Sequence, residues 1–277
     1  MCIQHRVGNG GINERRDVLT IQTLLNLDLR AFPANAGPRG GPLSPIEEDG
    51  KIGGETIGRI AMFQSTVEAN PSPSGRVDPS GPTLDALQAV LPSTLSVAML
   101  RGIMIHFLAF QRATVADAAK YLPHLITLMP QYDIYTPLRQ AHFLGQIALE
   151  TNLLLWCQEL ASGAEYEGNA KLGNTEPGDG ARFKGRGLIQ LTGRTNYKRY
   201  GEEINLDLLK SPNEQIVAKD PAHAVRASCF FWRDNNLNLP ADQDDGAQVS
   251  TIVNGAACCT FTQRAYYTKR AKFFLGA

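Results

Sequence analysis

The chain lacks most of what would mark the common non-enzymatic classes. Lys+Arg and Asp+Glu are both 27, so the formal net charge is zero and there is no cationic surplus for neutralising a nucleic-acid backbone. The five cysteines (Cys2, Cys157, Cys229, Cys258 and Cys259) contain no CxxC pair, which removes the usual zinc spacing, and an odd number closes no disulfide framework. Cys258 and Cys259 are adjacent, and neighbours seldom reach disulfide geometry; all five are expected as thiols of a protein made in a reducing cytosol. No run is apolar over the width of a bilayer. The most apolar stretch, 95–110, contains Arg101 and His106 and is expected as a buried helix, without stable membrane insertion. The opening MCIQHRVGNGG has no apolar core of a secretory leader. If the substrate lies outside the cytoplasmic membrane, another agent must let the protein reach it.

What is present is an ordinary globular composition, 43% hydrophobic and 19% charged over 277 residues, enough chain for two domains. Two stretches rich in Gly, Pro and Ser, 32–45 and 70–82, punctuate the first hundred residues. Around them lie three short amphipathic patterns. Val18, Ile21, Leu24 and Leu25 share a helical face, with Asn13 as the expected N-cap. Ile57, Ile60, Ala61 and Gln64 follow the turn 49–54, and Leu84, Leu87 and Leu91 follow the turn 75–81. The last two units repeat one plan: a glycine-rich turn carrying an apolar residue, then Thr, then a helix. A three-helix domain over 1–92, a linker at 93–96 and a second domain over 97–277 are therefore expected.

Beyond the linker the pattern is helical throughout, with no βαβ alternation, so the fold class is mainly α. Thr114 with Asp117, and Thr136 before Pro137, read as N-caps, and Pro123 is expected to break or kink its helix. Leu138, Ala141, Leu144, Ile147 and Ala148 form a buried stripe ending near Glu150. Residues 183–197 are glycine-rich and irregular; 222–232 and 261–274 read as two further helices, the second opened by Thr260 and Gln263.

Glu150 is the first candidate for chemistry. A carboxylate that ends an apolar helix is partly desolvated, and the helix C-terminus disfavours negative charge; both suit a group that delivers a proton. Glu159, nine residues on, has enough intervening chain to face it across a cleft. A pair of such carboxylates is the minimal apparatus of a glycosidase. Glu165, Glu167 and Glu176 compete for the second place on composition alone.

Two stretches carry further information. The run 161–180 and Phe183-Lys184-Gly185-Arg186-Gly187-Leu188-Ile189-Gln190-Leu191-Thr192-Gly193-Arg194-Thr195-Asn196-Tyr197 closely resemble glycoside hydrolase family nineteen, the plant-chitinase-like enzymes, and within it the bacteriophage-endolysin branch. Asp220-Pro221, Arg226, Phe231-Trp232 and Val253-Asn254-Gly255 continue the likeness in order, so that it covers 97–277. Asp49-Gly50-Lys51-Ile52-Gly53-Gly54-Glu55-Thr56 and Gly75-Arg76-Val77-Asp78 resemble the small peptidoglycan-binding domain found beside many cell-wall hydrolases, over about 10–92.

The resemblance implies a lysozyme-like catalytic domain in which Glu150 is the acid and Glu159 the base that activates water. It implies that Gln190, Thr192, Asn196 and Asn254 are cleft groups and that Arg226 and Arg264 are basic residues near them. Ser162 or Ala161 falls near a hydroxyl position that orients the water; Tyr166 and Tyr197 are further candidates for the cleft lining. Trp156 lies between the carboxylates and fits either core or sugar platform, and Arg226 fits equally a structural partner of Glu150. The chain departs from the family where His usually precedes the acid and glycines follow it: here the run is Leu149-Glu150-Thr151-Asn152-Leu153, in which the absent His leaves the neighbourhood of Glu150 more apolar and the following turn has no glycine. The implied activity is inverting hydrolysis of the β-1,4 bonds of bacterial peptidoglycan by a monomer that needs no metal or cofactor. The implied setting is a phage endolysin held in the host cytoplasm until a holin releases it. Chitin hydrolysis, lytic transglycosylation and wall binding by a degenerate hydrolase are the alternatives.

Overall fold

The computed structural model describes residues 2–29, 32, 36–37, 41–255 and 259–277; Cys258, one of the five expected thiols, lies outside them. The chain forms two compact units, Met1–Arg112 together with Lys269–Ala277, and Ala113–Thr268. The division differs from the sequence expectation at both ends: 93–96 lies within the first unit, and the last residues of the chain belong to that unit too.

The first unit holds β1 (Val7–Gly8), α1 (Arg15–Leu27), α2 (Gly54–Thr66), β2 (Arg76–Val77), α3 (Pro82–Ala89) and α4 (Val97–Ile103). The two short strands pair antiparallel, Val7 with Val77. Val18, Ile21, Leu24 and Leu25 are buried as their spacing requires, as are Ile60, Phe63, Leu84 and Leu87, and α1 packs on both α2 and α3. The repeated plan seen in the sequence has a structural counterpart. Gln22 of α1 donates to the Lys51 carbonyl (3.1 Å) and Thr56 Oγ1 (3.3 Å) and accepts from the Gly50 amide (2.8 Å). Gln64 of α2 donates to the Arg76 carbonyl (2.9 Å) and Thr83 Oγ1 (3.0 Å) and accepts from the Gly75 amide (2.9 Å). Each buried amide thus clamps the next turn and the first residue row of the next helix; losing such a partner costs about 1–3 kcal/mol. Gly50 and Gly75 sit at φ +68° and +67°, where a side chain is strained.

Three local expectations change. The N-cap of α1 is Glu14, which accepts from the Arg16 amide, while the Asn13 side chain accepts from the Gly8 amide at 2.7 Å. The apolar run 95–110 is helical only to Ile103; Ile105 then pairs with Arg112 and leaves Leu108 76% exposed, because the intervening turn points its apolar side chains outward. Pro123 sits inside α5 (Val115–Leu128) and does not end it.

The second unit continues with α6 (Pro137–Glu150), α7 (Asp179–Arg182), α8 (Arg194–Glu203), α9 (Ile216–Lys219), α10 (Pro221–Asp234), α11 (Asn238–Asp242), α12 (Gly246–Asn254) and the first turns of α13 (Phe261–Leu275). Thr136 caps α6 by accepting from the Arg139 amide, with Pro137 at its first position. From Ala141 to Ala148 every residue of α6 is buried, so this helix is the central post of the unit. Phe143 meets Trp232 of α10 edge-on at 5.2 Å. Gly145 lets α13 come close: a Cβ there would stand 2.3 Å from Thr268 Oγ1. The fold is mainly α, as the sequence indicates; among the described residues the only strands are β1 and β2.

Candidate active site

Because α6 is buried to its last turn, its terminal residue Glu150 emerges at the edge of the core with a side chain 16% exposed. The cation expected only as a neighbour is its direct partner. Arg264 of α13, 3% exposed, donates through Nη2 to Glu150 Oε1 and through Nη1 to Gln146 Oε1, and its Nε donates to Thr260 Oγ1 at 3.2 Å. Gln146 is itself fully buried and donates to Ser250 Oγ of α12 at 3.3 Å. The i, i+4 spacing of Gln146 and Glu150 puts both on one helix face, where a single guanidinium fork serves them. The surroundings of Glu150 are therefore ionic on this side, not simply the more apolar pocket that the absent His suggests.

The turn after Glu150 achieves with side chains what glycines would allow freely. Asn152, Leu153 and Leu154 take φ of +47°, +66° and +69°, three successive residues in the region that L-residues disfavour by roughly 1–2 kcal/mol each. Thr151, with no exposed surface, holds them: its hydroxyl donates to the Ile147 carbonyl at 2.7 Å and accepts from the Leu154 amide at 2.7 Å. Burial of Leu153 and Leu154 (3% and 2% exposed) opposes the strain. The Trp156 amide then donates back to the Thr151 carbonyl at 2.8 Å.

Glu159 is fixed from the other direction. Gln158 bridges to Arg186, and Arg186 to Leu191, so the segment before the glycine-rich run forms a small antiparallel platform. The Glu159 amide donates to the Gly185 carbonyl (2.9 Å) while the Gly185 amide donates to Glu159 Oε2 (3.1 Å). Tyr166 Oη donates to Oε1 at 3.0 Å. Burial, the Glu159 hydrogen bond and the nearby negative charges push the Tyr166 phenol up to about 12, so it remains a donor at neutral pH. A Cβ at residue 185 would stand 2.6 Å from Gln190 Oε1 and 3.3 Å from Glu159 Oε2, so a methyl there would displace the end of the Gln190 side chain and press on the carboxylate.

These elements enclose a cleft of about 690 Å³ lined by both carboxylates, with Trp156, Tyr166, Gln190, Thr192 and Asn254 among its other walls. The competing acids are elsewhere. Glu167 accepts from the amides of Gly178 (2.6 Å) and Gly180 (2.8 Å), and Glu165 and Glu176 are exposed; none lines the cleft. Gln190 Nε2 donates to the Gly187 carbonyl (3.1 Å), and Thr192 Oγ1 to the Gln190 carbonyl (2.8 Å), so both serve the loop as well as facing the cavity.

Four expected cleft residues lie elsewhere. Tyr197 has no exposed surface; its hydroxyl accepts from Arg186 Nη1 (2.9 Å) and donates to the Lys184 carbonyl (2.9 Å), and burial raises its phenol far above the ordinary range. Asn196 spends its amide on the Thr192 carbonyl at 2.7 Å and lies outside the cleft lining. Ser162 is exposed and accepts from the Ala164 amide at 3.2 Å. Arg226 acts electrostatically on Glu203, Tyr132 and Tyr200; the arginine paired with Glu150 is Arg264. Conversely, Gln146 and Gln158 were not anticipated as parts of the site. No group of three or more His, Cys, Asp or Glu side chains placed to hold a metal occurs among the described residues.

Residues 154–248 match the family model for glycoside hydrolase family 19, chitinase class I. The match contains Glu159, Tyr166, Gly185, Gln190 and Thr192. The chain is similar to a basic endochitinase of Brassica napus, 30% identical over 151 residues (54% of this chain, 52% of the relative), and to an endochitinase of Arabidopsis thaliana, 31% identical over 153 residues (54% and 53%). It thus spans about half the length of these curated relatives. Among solved structures it resembles chitinase C from Streptomyces griseus, with a TM-score of 0.52 and 21% identity over 66% of this chain and 76% of that one. It resembles a class IV chitinase from Zea mays equally, with a TM-score of 0.52 and 19% identity over 66% and 93%. The chain shares the helical fold of these two structures, and its 154–248 stretch carries the sequence pattern of a family of glycoside hydrolases.

Proposed function

We propose that the protein hydrolyses the β-1,4 bond between N-acetylmuramic acid and N-acetylglucosamine in bacterial peptidoglycan. The observation that carries this reading is a single cleft with two carboxylates in unlike settings: Glu150 against the Arg264 guanidinium, and Glu159 between a phenol and a backbone amide. Glu150 protonates the leaving oxygen, and Arg264 then stabilises the carboxylate that remains. Glu159 removes a proton from the attacking water, held at its angle by Tyr166 and Gly185. The outcome is inversion, which requires the carboxyl groups to stand about 6.5–9.5 Å apart with the water between them.

Peptidoglycan as the polymer rests on the likeness of the glycine-rich turns 49–56 and 75–84 to a wall-binding domain and on the endolysin-like loops of the second unit. Chitin is the second reading, favoured by the relatives, which are named endochitinases. We further propose a monomer that acts on the wall after release from the cytoplasm of a phage-infected host; no helix among the described residues is long and apolar enough to cross a membrane.

Digestion of purified sacculi and of N-acetylglucosamine hexamer, with the released ends identified by mass spectrometry and the anomers by NMR, tests these together. Reducing muropeptide ends in the inverted configuration support the proposal. Retained anomers or anhydro-sugar ends exclude the mechanism, and cleavage of the hexamer alone excludes the polymer.

A further inference from the structure

One face of α6 carries His142, Gln146 and Glu150 at successive i, i+4 positions, and the first two of them hold α12. His142 is 1% exposed, and its Nε2 meets Asp244 Oδ1 at 2.8 Å. Gln146 donates to Ser250 Oγ, and Ser250 donates in turn to the Gly246 carbonyl at 2.6 Å. Asp244 lies in the turn between α11 and α12, at φ +57°. Its side chain is half exposed, yet one oxygen is turned inward to the imidazole. Asp245 then caps α12 by accepting from the Gln248 amide at 2.9 Å. The helix begins directly beside the ring: a Cβ at Gly246 would stand 3.5 Å from His142 Cε1. Leucine would fill the interior here without the cost of burying an imidazole. What histidine adds is a directed bond to the start of α12.

That helix leads to the cleft. It has nine residues, about 12 Å from end to end, and its last residue, Asn254, lines the cleft with Val253. A hydrogen-bonded rod of this length carries a shift of its first turn through to its last. We infer that His142 is a positioning residue for the glycan: through Asp244 and α12 it fixes where Asn254 meets the sugar, while lying outside the cleft lining itself. This inference rests on the glycosidase reading of the cleft.

His142→Ala empties a buried site and threatens the fold, so the test is made at the exposed end of the pair. In the full-length Glu150→Gln protein, which leaves the sugar uncut, calorimetry with N-acetylglucosamine hexamer and with soluble glycan fragments from sacculi gives Kd. Asp244→Ala is expected to raise Kd for the glycan that binds about three- to thirtyfold, the range over which residues remote from a ligand act on its binding. Asp244→Asn keeps an oxygen for Nε2 and restores most of the loss. Asp242→Ala breaks another tie to α6, the pair with Arg139 at 2.6 and 2.7 Å, and leaves Kd within about twofold. In an Asn254→Ala background Asp244→Ala adds little, because the residue it acts through is gone. An unchanged Kd in Asp244→Ala, an equal rise in Asp242→Ala, or the same rise with and without Asn254 overturns the positioning role and leaves the glycosidase reading standing. If the active protein binds and cleaves neither glycan, that reading falls and the positioning role with it.

Discussion

Arg264 reaches Glu150 across 114 positions of sequence, and the same guanidinium holds Gln146 one helical turn earlier. Glu150 is therefore positioned by a cation that is itself positioned by the helix bearing Glu150. Removing the cation leaves a carboxylate and a buried amide without their partner. Arg264→Ala is expected to lower kcat about 10²–10³-fold, the scale of losing one preorganised electrostatic group. Arg264→Lys, which keeps the charge and loses the fork, falls between. Glu150→Gln retains an acceptor for Arg264 and loses the proton, so its fold persists while kcat drops by about 10²–10⁴. Steady-state kinetics beside thermal melts separate the two effects; a Glu150→Gln protein with near-normal turnover would remove Glu150 from the mechanism.

Tyr166 is the hydrogen-bond donor to Glu159 whose deletion leaves the backbone untouched. Tyr166→Phe removes one bond to a charged acceptor, worth about 1.5–3 kcal/mol, and kcat is expected to fall about tenfold or more with KM little changed. Since its phenol is pushed up to about 12, wild-type activity should lack the alkaline limb that an ordinary tyrosine would add near about pH 10. A pH–rate profile with that limb, lost in Tyr166→Phe, would contradict the assigned protonation state.

Gly185 offers a cleaner steric test. It has no left-handed φ to lose, so Gly185→Ala acts through its new methyl group alone, directed at Gln190 Oε1 and Glu159 Oε2. Glu159 is expected to give way by a few tenths of an ångström, short of the roughly 1 Å that costs about 10², so kcat/KM should fall by about tenfold or less, with circular dichroism and melting temperature nearly unchanged. Unaltered kinetics would mean that Glu159 need not stand where Gly185 holds it.

Much of this site is legible in the chain before any coordinates, and the failures have physical causes. Glu150 and Glu159 follow from helix-end position and spacing, Asn254 from the run 253–255, and Gln190 and Thr192 from the glycine-rich motif, and all five line one cleft. Tyr197 comes from the same motif, yet Tyr197, Tyr200 and Gly201 form the buried face of α8, and their i, i+3, i+4 spacing was available to exclude it. Gln146 was hidden in the reverse way: a lone amide in an apolar stripe looks like an accident until Arg264 is brought to it by long-range packing. The turn after Glu150 is not legible locally at all. Leucines at left-handed φ contradict their propensity, and only the Thr151 hydroxyl and the burial of Leu153 and Leu154 make the conformation affordable.

That turn predicts a contrast within two adjacent positions. Asn152 is only partly buried, so Asn152→Gly relieves strain while giving up little packing. Asparagine already tolerates the left-handed region, so the gain is small, up to about 1 kcal/mol. Leu153→Gly relieves more strain but surrenders a side chain 3% exposed, a loss of about 2–5 kcal/mol that outweighs the relief. Opposite shifts in denaturation midpoint are expected, and equal destabilisation by both would show that the turn is not strained.

The pH dependence of stability follows from Asp179, which accepts from Arg194 through both oxygens at 2.7 Å. Burial alone would raise its carboxyl, but the Arg194 bonds, the Glu176 amide and the Arg194 charge together outweigh that and hold it below its ordinary 3.8. A depressed folded-state value contributes stability that is fully present above the unfolded value and is lost as pH falls through the folded one. Asp179→Asn should therefore melt lower than wild type at neutral pH, and the gap should close progressively below about pH 4 as the wild-type carboxylate takes up its proton. The pair also ties the loop before α7 to the start of α8: the Arg194 amide donates to Asn174 Oδ1, and Asn174 donates to the Tyr166 carbonyl, both at 2.8 Å. The same variant should therefore loosen Tyr166 and lower kcat at neutral pH. A melting gap independent of pH would show that the ionised form of Asp179 is not what holds this loop.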